Sequence, residues 1–260
     1  MRLLVMALSL CSFSAVAAPS SFMFDDIKDR DTSGEEDGVW RASAEFGFLM
    51  RSGNTDSKSW KTKLDIHRDT AMWRHRGSFT YDRAERKTDT GTEVDADRLF
   101  TSLQSNRVFG ESQNSSIFMY GSYEDDRKSS FEYQSTIAAG YGSRYKHSES
   151  LHADFEIGPG LAYNKSVEEE SEIEAILRLA TNIEWTISEN SNFTQLISTE
   201  VGEDNTRSRA VSALTANLNA RLAMRLTLTL THNTTVTPKA SGEYPEKLDS
   251  ETAVTLVYKF

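Results

Sequence analysis

The last nine residues, read T-A-V-T-L-V-Y-K-F, constrain the fold more than any other stretch of this chain. Successive side chains of a β-strand point to opposite faces. One face of this segment is therefore largely apolar and ends in an aromatic residue; it carries Thr252, Val254, Leu256, Tyr258 and Phe260. An exposed strand edge of this kind would pair with other chains and aggregate. A sheet that closes on itself removes the edge, because its last strand pairs with its first.

Composition excludes several other classes of protein. The chain has 260 residues, a mean hydropathy of −0.52 and a formal net charge of −10. Beyond residue 18, no apolar run approaches the roughly 20 residues that a transmembrane helix needs, which excludes helical membrane spans. The acidic charge argues against a nucleic-acid-binding surface. Cys11 is the only cysteine, and we expect it to be lost on export, so no disulfide is available.

The N-terminus has the features of a secretory signal peptide. Arg2 gives a short positive region, Leu3 to Cys11 is apolar, and Ala15-Val16-Ala17 is a small-residue cleavage site. We therefore predict a cleaved signal peptide over residues 1–17 and a location in the bacterial outer membrane. Residues 18–38 are mostly polar and acidic, which predicts a flexible periplasmic arm. A plug inside the barrel is the alternative for this segment.

From residue 39 to the end, apolar and polar residues alternate with period two, the pattern of half-buried strands. We predict twelve strands, at about 39–51, 58–67, 73–82, 98–108, 116–124, 134–145, 151–163, 175–187, 192–201, 211–222, 226–236 and 251–260. The fourth and fifth are ambiguous, because Phe100 is out of phase with its apolar neighbours and both faces of residues 117–123 carry apolar groups. Pro159 cannot donate to a β-ladder, so we expect a bulge there.

The connections between these strands alternate in length. Long polar segments are predicted at about 83–97, 125–133, 164–174, 202–210 and 237–250, and short turns near 68–72, 109–115, 146–150, 188–191 and 223–225. An even strand number with this alternation is typical of bacterial outer-membrane barrels, whose short turns face the periplasm. The prediction is an all-β, antiparallel, up-and-down transmembrane barrel of about twelve strands over residues 39–260. A soluble β-sandwich is the alternative, but it leaves the rim tryptophans unexplained.

Aromatic residues near strand ends support the membrane interpretation. Trp40, Trp60, Trp73 and Trp185 all fall on the predicted lipid face, where they would form interfacial girdles. At the C-terminus, Val254, Leu256, Tyr258 and Phe260 resemble the signal that the barrel-assembly machinery recognises during insertion. We expect that machinery, outer-membrane lipids and lipopolysaccharide as partners, no nucleic acid, and a monomeric barrel.

The inward faces are the place to look for function, because lumen residues determine selectivity. The candidate pore-lining residues are Arg41, Lys61, Lys63, Arg74, Arg76 and Arg98 on the early strands and Asp154, Glu156, Glu184 and Glu200 on the later ones. A basic wall opposite an acidic wall would orient a small charged solute in a narrow pore. Alternatively, these charges pair with neighbours such as Glu45, Asp65, Asp82 and Arg178 and fill a plugged lumen. A barrel of twelve strands lies between the filled and the open size classes.

Two further functions stay open at this point. A lipid-modifying hydrolase would need a histidine beside a hydroxyl at the membrane rim, and His75 and His232 are the candidates, with Thr234 nearby. No residue marks a nucleophile or an orienting acid, so we predict no catalytic residues. His152 and Asp154 lack a third ligand, so neither a metal site nor a cofactor is predicted. The other function is structural, as a barrel that stiffens the envelope or displays its loops.

Several short motifs resemble one known family. They are Gly47-Phe48-Leu49 followed by Ser52-Gly53-Asn54-Thr55, Trp73-Arg74-His75-Arg76, Ala139-Gly140-Tyr141-Gly142, Gly158-Pro159-Gly160 with Tyr163, and the terminal Tyr258-Lys259-Phe260. Together they make the chain similar to the YdiY-like salt-induced outer-membrane proteins over nearly all of residues 40–260. The resemblance implies an outer-membrane barrel associated with salt or envelope stress. It implies no established reaction and so assigns no catalytic residue.

Overall fold

The computed structural model describes residues 38–51, 56–88, 91–110, 114–126, 131–166, 171–236, 244 and 246–260. The predicted signal peptide and all but the last residue of the predicted arm lie outside these ranges. The described residues form twelve strands: β1 (Trp40–Arg51), β2 (Ser57–Asp69), β3 (Trp73–Thr88), β4 (Gly91–Phe109), β5 (Ser115–Asp126), β6 (Phe131–Lys146), β7 (Leu151–Ser166), β8 (Glu172–Ser188), β9 (Ser191–Val201), β10 (Thr206–Asn217), β11 (Leu222–Asn233) and β12 (Leu248–Lys259).

The twelve strands close into one antiparallel barrel. Each strand pairs with its neighbour in sequence, and β12 pairs with β1 through contacts such as Tyr258 opposite Ala44. The backbone N–H of Phe260 also donates to the carbonyl of Ala42 at 2.9 Å. The predicted strand number, fold class and closing seam are thus confirmed. Among the described residues, no helix has the length and apolarity needed to cross a membrane.

The two faces of the sheet are inverted relative to a soluble protein. Large apolar side chains point outward and are exposed, as at Met119 (69%), Leu103 (66%) and Ile137 (59%). Most of the buried side chains face the lumen and are polar or charged, among them Thr80, Asp82 and Arg178. If the outer face of the sheet lies in hydrocarbon, all backbone hydrogen bonds can be made only when the sheet is closed. The architecture is therefore that of a transmembrane β-barrel.

The two rims of the barrel differ, and we name them by the chain. The rim where β1 begins and β12 ends has the connections 70–72, 147–150, 189–190 and 218–221 among the described residues. At the opposite rim, the β3–β4 hairpin continues through Thr88 and Gly91 with charged residues on both faces. Because outer-membrane barrels place their termini and short turns in the periplasm, we assign the first as the periplasmic rim and the second as the outer rim.

The predicted loop at 83–97 is wrong, because most of it is strand. The hairpin is held by cross-strand ion pairs, with Arg86 3.3 Å from both Glu93 and Asp95, and Arg83 3.4 Å from Asp97. Opposite charges facing each other stabilise a ladder without any apolar face, so period-two hydrophobicity does not detect it. Parts of the predicted loops 125–133, 164–174 and 202–210 are likewise strand.

Two local predictions also need correction. The turn expected near 223–225 lies at residues 218–221, where the side chain of Asn219 accepts hydrogen bonds from the N–H groups of Arg221 and Leu222 at 2.8 and 3.0 Å. Asn favours such turns through this side-chain bonding. The bulge expected at Pro159 is absent, since β6 and β7 keep one register on both sides of it. Gly140 and Gly158 instead let the two backbones approach closely.

Candidate functional site in the lumen

All ten predicted pore-lining residues lie on the lumen face, and most of them are buried. On the early strands, the cations have acidic neighbours. Lys61 lies 2.7 Å from Glu251 and 3.4 Å from Asp82, and Lys63 lies 2.8 Å from Asp65 and 3.4 Å from Glu45. These two lysines of the predicted basic wall are therefore neutralised by neighbouring acids. Local pairing of the charges is therefore favoured. The alternative, an electric field between a basic wall and an acidic wall, is disfavoured.

Glu45 shows how densely this part of the lumen is paired. Its carboxylate is 4% exposed and accepts from Arg225 on β11, from Lys63 on β2 and from the hydroxyl of Thr255 on β12 at 3.0 Å. Strands β11, β12, β1 and β2 are consecutive around the barrel. The carboxylate thus joins a four-strand arc, and it does so across the seam where the sheet closes.

The predicted acidic residues are paired as well. Arg144 donates two bonds of 2.6 Å to Asp154. Glu156 accepts from the amides of Gln104 and Asn106 at 2.8 and 3.0 Å and lies 3.5 Å from Arg178. The remaining two acids are Glu184, 3.2 Å from His152, and Glu200, which accepts from Thr136 at 3.3 Å.

A recess of about 370 Å³ opens beside these residues near the periplasmic rim. Its walls include Arg74, Arg76, Arg144 and Asp154. Arg76 is itself paired with Asp69 at 2.6 Å, at the end of β2. Charged side chains therefore line the lumen up to its periplasmic mouth.

One group of side chains crosses the lumen, and we call it the lumen bridge. It consists of Phe100, Phe118, Tyr120 and Glu124 from β4 and β5, and of Arg178, Leu196, Arg207, Arg209 and Val211 from β8, β9 and β10. Strands β4 and β10 are six apart in a ring of twelve, so they face each other across the barrel. Any contact between them spans the full lumen.

The lumen bridge is held by one ion pair and by arginine–aromatic stacking. Arg207 Nη2 lies 2.5 Å from Glu124 Oε2, and the same carboxylate also accepts from Arg98. The guanidinium carbon of Arg178 lies 4.3 Å from the ring centre of Tyr120, and that of Arg209 lies 5.5 Å from the ring of Phe100. Arginine over an aromatic face is attracted by the ring quadrupole, and more strongly when water is excluded.

Apolar contacts add to the lumen bridge. Tyr120 packs against Leu196 and Val211, and Phe118 is fully buried although it points into the lumen. A pocket of about 490 Å³ lies beside the bridge, lined by Ser102, Ser122, Ser198 and Glu200 together with six of the nine bridge residues.

The list of lumen residues predicted from the sequence did not include the lumen bridge. The sequence nevertheless contained a sign of it. Phe100, Phe118 and Tyr120 are the aromatic residues that made the fourth and fifth strands ambiguous. Their exposed neighbours, Leu103 and Met119, fix the lipid face. The out-of-phase aromatics were therefore lumen residues, and an inward aromatic on a membrane strand indicates a constriction.

The predicted exterior residues lie on the outside of the barrel. Trp40, Trp73 and Trp185 are 58, 40 and 46% exposed near the periplasmic rim, while Trp60 lies near the outer rim beneath Arg83. The C-terminal set is also exposed, at 59% for Val254, 49% for Leu256, 36% for Tyr258 and 76% for Phe260. Tyr258 and Phe260 make an edge-to-face contact with ring centres 4.9 Å apart.

His75 has a hydroxyl partner on the exterior face. Its Nδ1 lies 2.9 Å from Ser105 Oγ, and its ring stacks on Trp73. No acid among the described residues orients this pair, and neighbouring N–H groups are used in the β-ladder, so the geometry supplies neither an activated base nor an oxyanion site. His232 pairs in register with Ser208 and Leu248. No group of three His, Cys, Asp or Glu side chains suited to a metal occurs within the described ranges.

Comparison with known proteins identifies the family. Residues 44–260 match a family described as a protein of unknown function, DUF481. The chain belongs to this family. It is 26% identical over 214 residues to the uncharacterized protein YdiY of Escherichia coli (strain K12), covering 82% of this chain and 80% of that protein. The YdiY-like resemblance is thus confirmed.

Solved structures share the barrel architecture of this DUF481 protein at low sequence identity. The NanC porin matches with a TM-score of 0.46 and 6% identity, over 84% of this chain and 97% of that one. The translocator domain of the autotransporter NalP from Neisseria meningitidis matches with a TM-score of 0.44 and 11% identity, over 88% and 90%. At these identities, the likeness shows the barrel fold alone.

Proposed function

We propose that this DUF481 protein is an outer-membrane barrel whose lumen is closed at rest by the lumen bridge. When the bridge releases, the lumen becomes a narrow passage for small charged solutes. The observation that carries the proposal is the contact of Arg207 and Arg209 on β10 with Glu124 on β5 and Phe100 on β4. These contacts close the barrel across its width with a few long side chains.

The charged lining of the lumen favours a passage for solutes. It is not the lining expected of a lumen that is simply filled with side chains. Replacing buried ion pairs by apolar side chains of similar volume is often neutral or stabilising by about 1–4 kcal/mol. A barrel needing only a solid interior could therefore be filled with apolar residues. This lumen instead carries charged side chains on many strands, such as Lys61 on β2, Arg74 on β3 and Glu156 on β7. Such a lining suits a hydrated path for ions once the constriction opens.

Planar-bilayer recording with the purified, folded barrel tests the proposal. Tyr120→Ala removes the ring that contacts Arg178, Leu196 and Val211, and we expect it to produce conductance steps that are rare or absent in the wild type. Met119→Ala is the matched control, because residue 119 is adjacent on the same strand and faces lipid. Silent Tyr120→Ala barrels that are folded, as judged by heat-modifiable migration, would overturn the proposal in favour of a plugged barrel.

Charge reversal then tests which solutes pass. In the Tyr120→Ala background, changing Lys61, Lys63, Arg74 and Arg76 to glutamate should shift the reversal potential in a salt gradient towards cation selectivity. Fixed charges along a narrow path set the local counter-ion concentration. An unchanged reversal potential would remove these four residues from the path. Reversal of Lys58, an exposed residue on the outward face of β2, serves as the control.

A second candidate, surface display, is favoured by the β3–β4 hairpin. The hairpin projects from the outer rim with paired charges on Arg83, Arg86 and Asp97. The association with salt or envelope stress, export by a cleaved signal peptide and recognition of the C-terminus by the assembly machinery belong to the proposal in either case. Growth of a deletion strain in high salt distinguishes the two roles. The strain is complemented with Tyr120→Ala, which tests the lumen role, or with a barrel lacking residues 84–96, which tests the surface role.

A further inference from the structure

A row of aromatic, basic and hydroxyl side chains crosses the exterior of β1 to β4 near the periplasmic rim. Trp40 is opposite Arg68, Arg68 is opposite His75, and His75 is opposite Ser105 in the strand register. Trp73 and Arg107 face each other one step closer to the rim. We call these six residues the rim patch. Since neighbouring strands are about 4.8 Å apart, the patch is on the order of 15 Å wide.

The two arginines of the rim patch have no acidic partner among the described residues. The guanidinium of Arg68 lies 5.6 Å from the ring centre of Trp40 and donates one bond of 2.7 Å to the carbonyl of Gly38. The guanidinium of Arg107 lies 5.9 Å from the ring of Trp73 and makes no hydrogen bond to the described residues. Most of their N–H donors therefore point to the surroundings of the barrel.

Those surroundings are the headgroup layer. Interfacial tryptophans sit at headgroup level, and Trp40 and Trp73 are the rings on which the arginines rest. An arginine facing lipid costs about 2–4 kcal/mol at the bilayer midplane and about 0–1 near the interface. A planar guanidinium matches a phosphate with two parallel hydrogen bonds. A phosphate is thus the group that this layer offers to Arg68 and Arg107.

The remaining members of the patch suit the same ligand. His75 Nδ1 is engaged by Ser105 Oγ at 2.9 Å, while its Nε2 has no partner among the described residues. When the serine hydroxyl donates to Nδ1, Nε2 carries the proton and can donate to a phosphate oxygen. Two arginines and one imidazole would then contribute donors on the same face.

The rim patch is confined to one arc of the barrel. On the other described strands, the exterior positions near the periplasmic rim are apolar or uncharged, as at Ile117, Phe155, Trp185, Phe193, Met224 and Tyr258. A uniform girdle would attract lipid equally all round. The one-sided arrangement predicts a localised lipid site.

We propose that the rim patch binds the phosphate of an anionic glycerophospholipid in the periplasmic leaflet of the outer membrane. Arg68 and Arg107 hold the phosphate, Trp40 and Trp73 bind the region below the headgroup, and His75 contributes a further donor. The site is separate from the lumen, so it stands whether or not the barrel conducts.

Native mass spectrometry of the folded barrel in nonionic detergent with added phosphatidylglycerol tests this site. We expect the wild type to retain the lipid about tenfold better than Arg68→Gln/Arg107→Gln, since each tenfold corresponds to about 1.4 kcal/mol. Arg107→Gln alone should show part of the loss, and it breaks no hydrogen bond within the described protein. The matched control is Arg83→Gln at the outer rim, where Arg83 lies 5.9 Å from Trp60 but is already paired with Glu85 and Asp97.

Two arms separate the lipid from a free anion. A diacylglycerol of the same chain length, which lacks the phosphate, should not be retained, and millimolar inorganic phosphate should not displace phosphatidylglycerol. Equal lipid retention by the wild type, Arg107→Gln and Arg68→Gln/Arg107→Gln would overturn the proposal. Displacement by inorganic phosphate alone would also overturn it, because the site would then recognise a free anion.

Discussion

Replacing Glu124 with glutamine should destabilise the barrel by about 3–5 kcal/mol, the typical penalty for removing one partner of a buried ion pair. Glu124 is 5% exposed and accepts from Arg98 on the adjacent strand and from Arg207 across the lumen. Arg98 keeps Asp126 at 3.8 Å, so most of the penalty falls on Arg207. Glu124 is the carboxylate that forms an ion pair with Arg207 among the described residues, while Glu200, opposite Arg207 in the strand register, adds a weaker attraction.

The effect can be measured by urea unfolding of the refolded barrel in lipid vesicles, followed by tryptophan fluorescence and heat-modifiable migration. Glu132→Gln is the matched control, because Glu132 pairs with Lys165 at 2.7 Å but the two side chains are 55% and 40% exposed. Exposed pairs contribute about 0–1 kcal/mol, so the control should lie in that range.

A double variant separates two effects on stability. One is the loss of the Glu124–Arg207 ion pair, and the other is the cost of leaving Arg207 buried without its partner. In Glu124→Gln/Arg207→Met, no unpaired cation is left at position 207, and we expect most of the stability to return. If Glu124→Gln loses no more stability than Glu132→Gln, the ion pair does not hold the bridge. If the double variant stays as unstable as the single one, the penalty does not come from the buried charge of Arg207.

Two more predictions follow from the same structure. Deleting Phe260 should lower the yield of inserted barrel, because it removes the exposed C-terminal aromatic and the hydrogen bond to Ala42 at 2.9 Å; normal heat-modifiable migration and membrane yield of the deletant would contradict this. Gly140→Ala should destabilise the barrel, because its Cβ would collide with the backbone of Ile157, whereas Gly121→Ala, with its nearest atom at 4.0 Å, should change urea unfolding little; equal midpoints for the two variants would show that β6 and β7 can separate at no cost.

The barrel itself could be predicted from the sequence because lipid imposes a uniform rule. Every strand that crosses hydrocarbon needs an apolar outer face and must pair on both sides. The period-two pattern of Trp40, Phe46 and Phe48, repeated along the chain, therefore identified all twelve strands. Outside the apolar belt this rule ends, and polar strands such as the β3–β4 hairpin are held by cross-strand charges that hydrophobic periodicity does not detect.

The lumen bridge could not be predicted, because it depends on which strands face each other after closure. In sequence, Glu124 and Arg207 are 83 residues apart. Nothing local to either residue indicates that β5 and β10 meet. The pairing of Lys61 with Asp82 and of Lys63 with Glu45 was easier to anticipate, because these residues lie on antiparallel strands that are neighbours in the chain. The inward phase of Phe100 and Tyr120 was the one local sign that the lumen narrows.

Strand number explains why the bridge takes this form. Eight strands enclose a space that ordinary side chains fill, and sixteen leave a channel. In a ring of twelve, neither rule applies, and closing the lumen requires long side chains from opposite walls. Arginine and tyrosine have that reach, and here Arg178, Arg207 and Arg209 meet Tyr120, Phe100 and Glu124. The proposed closure therefore depends on a limited set of cross-lumen contacts, and Tyr120→Ala removes the ring that Arg178, Leu196 and Val211 contact.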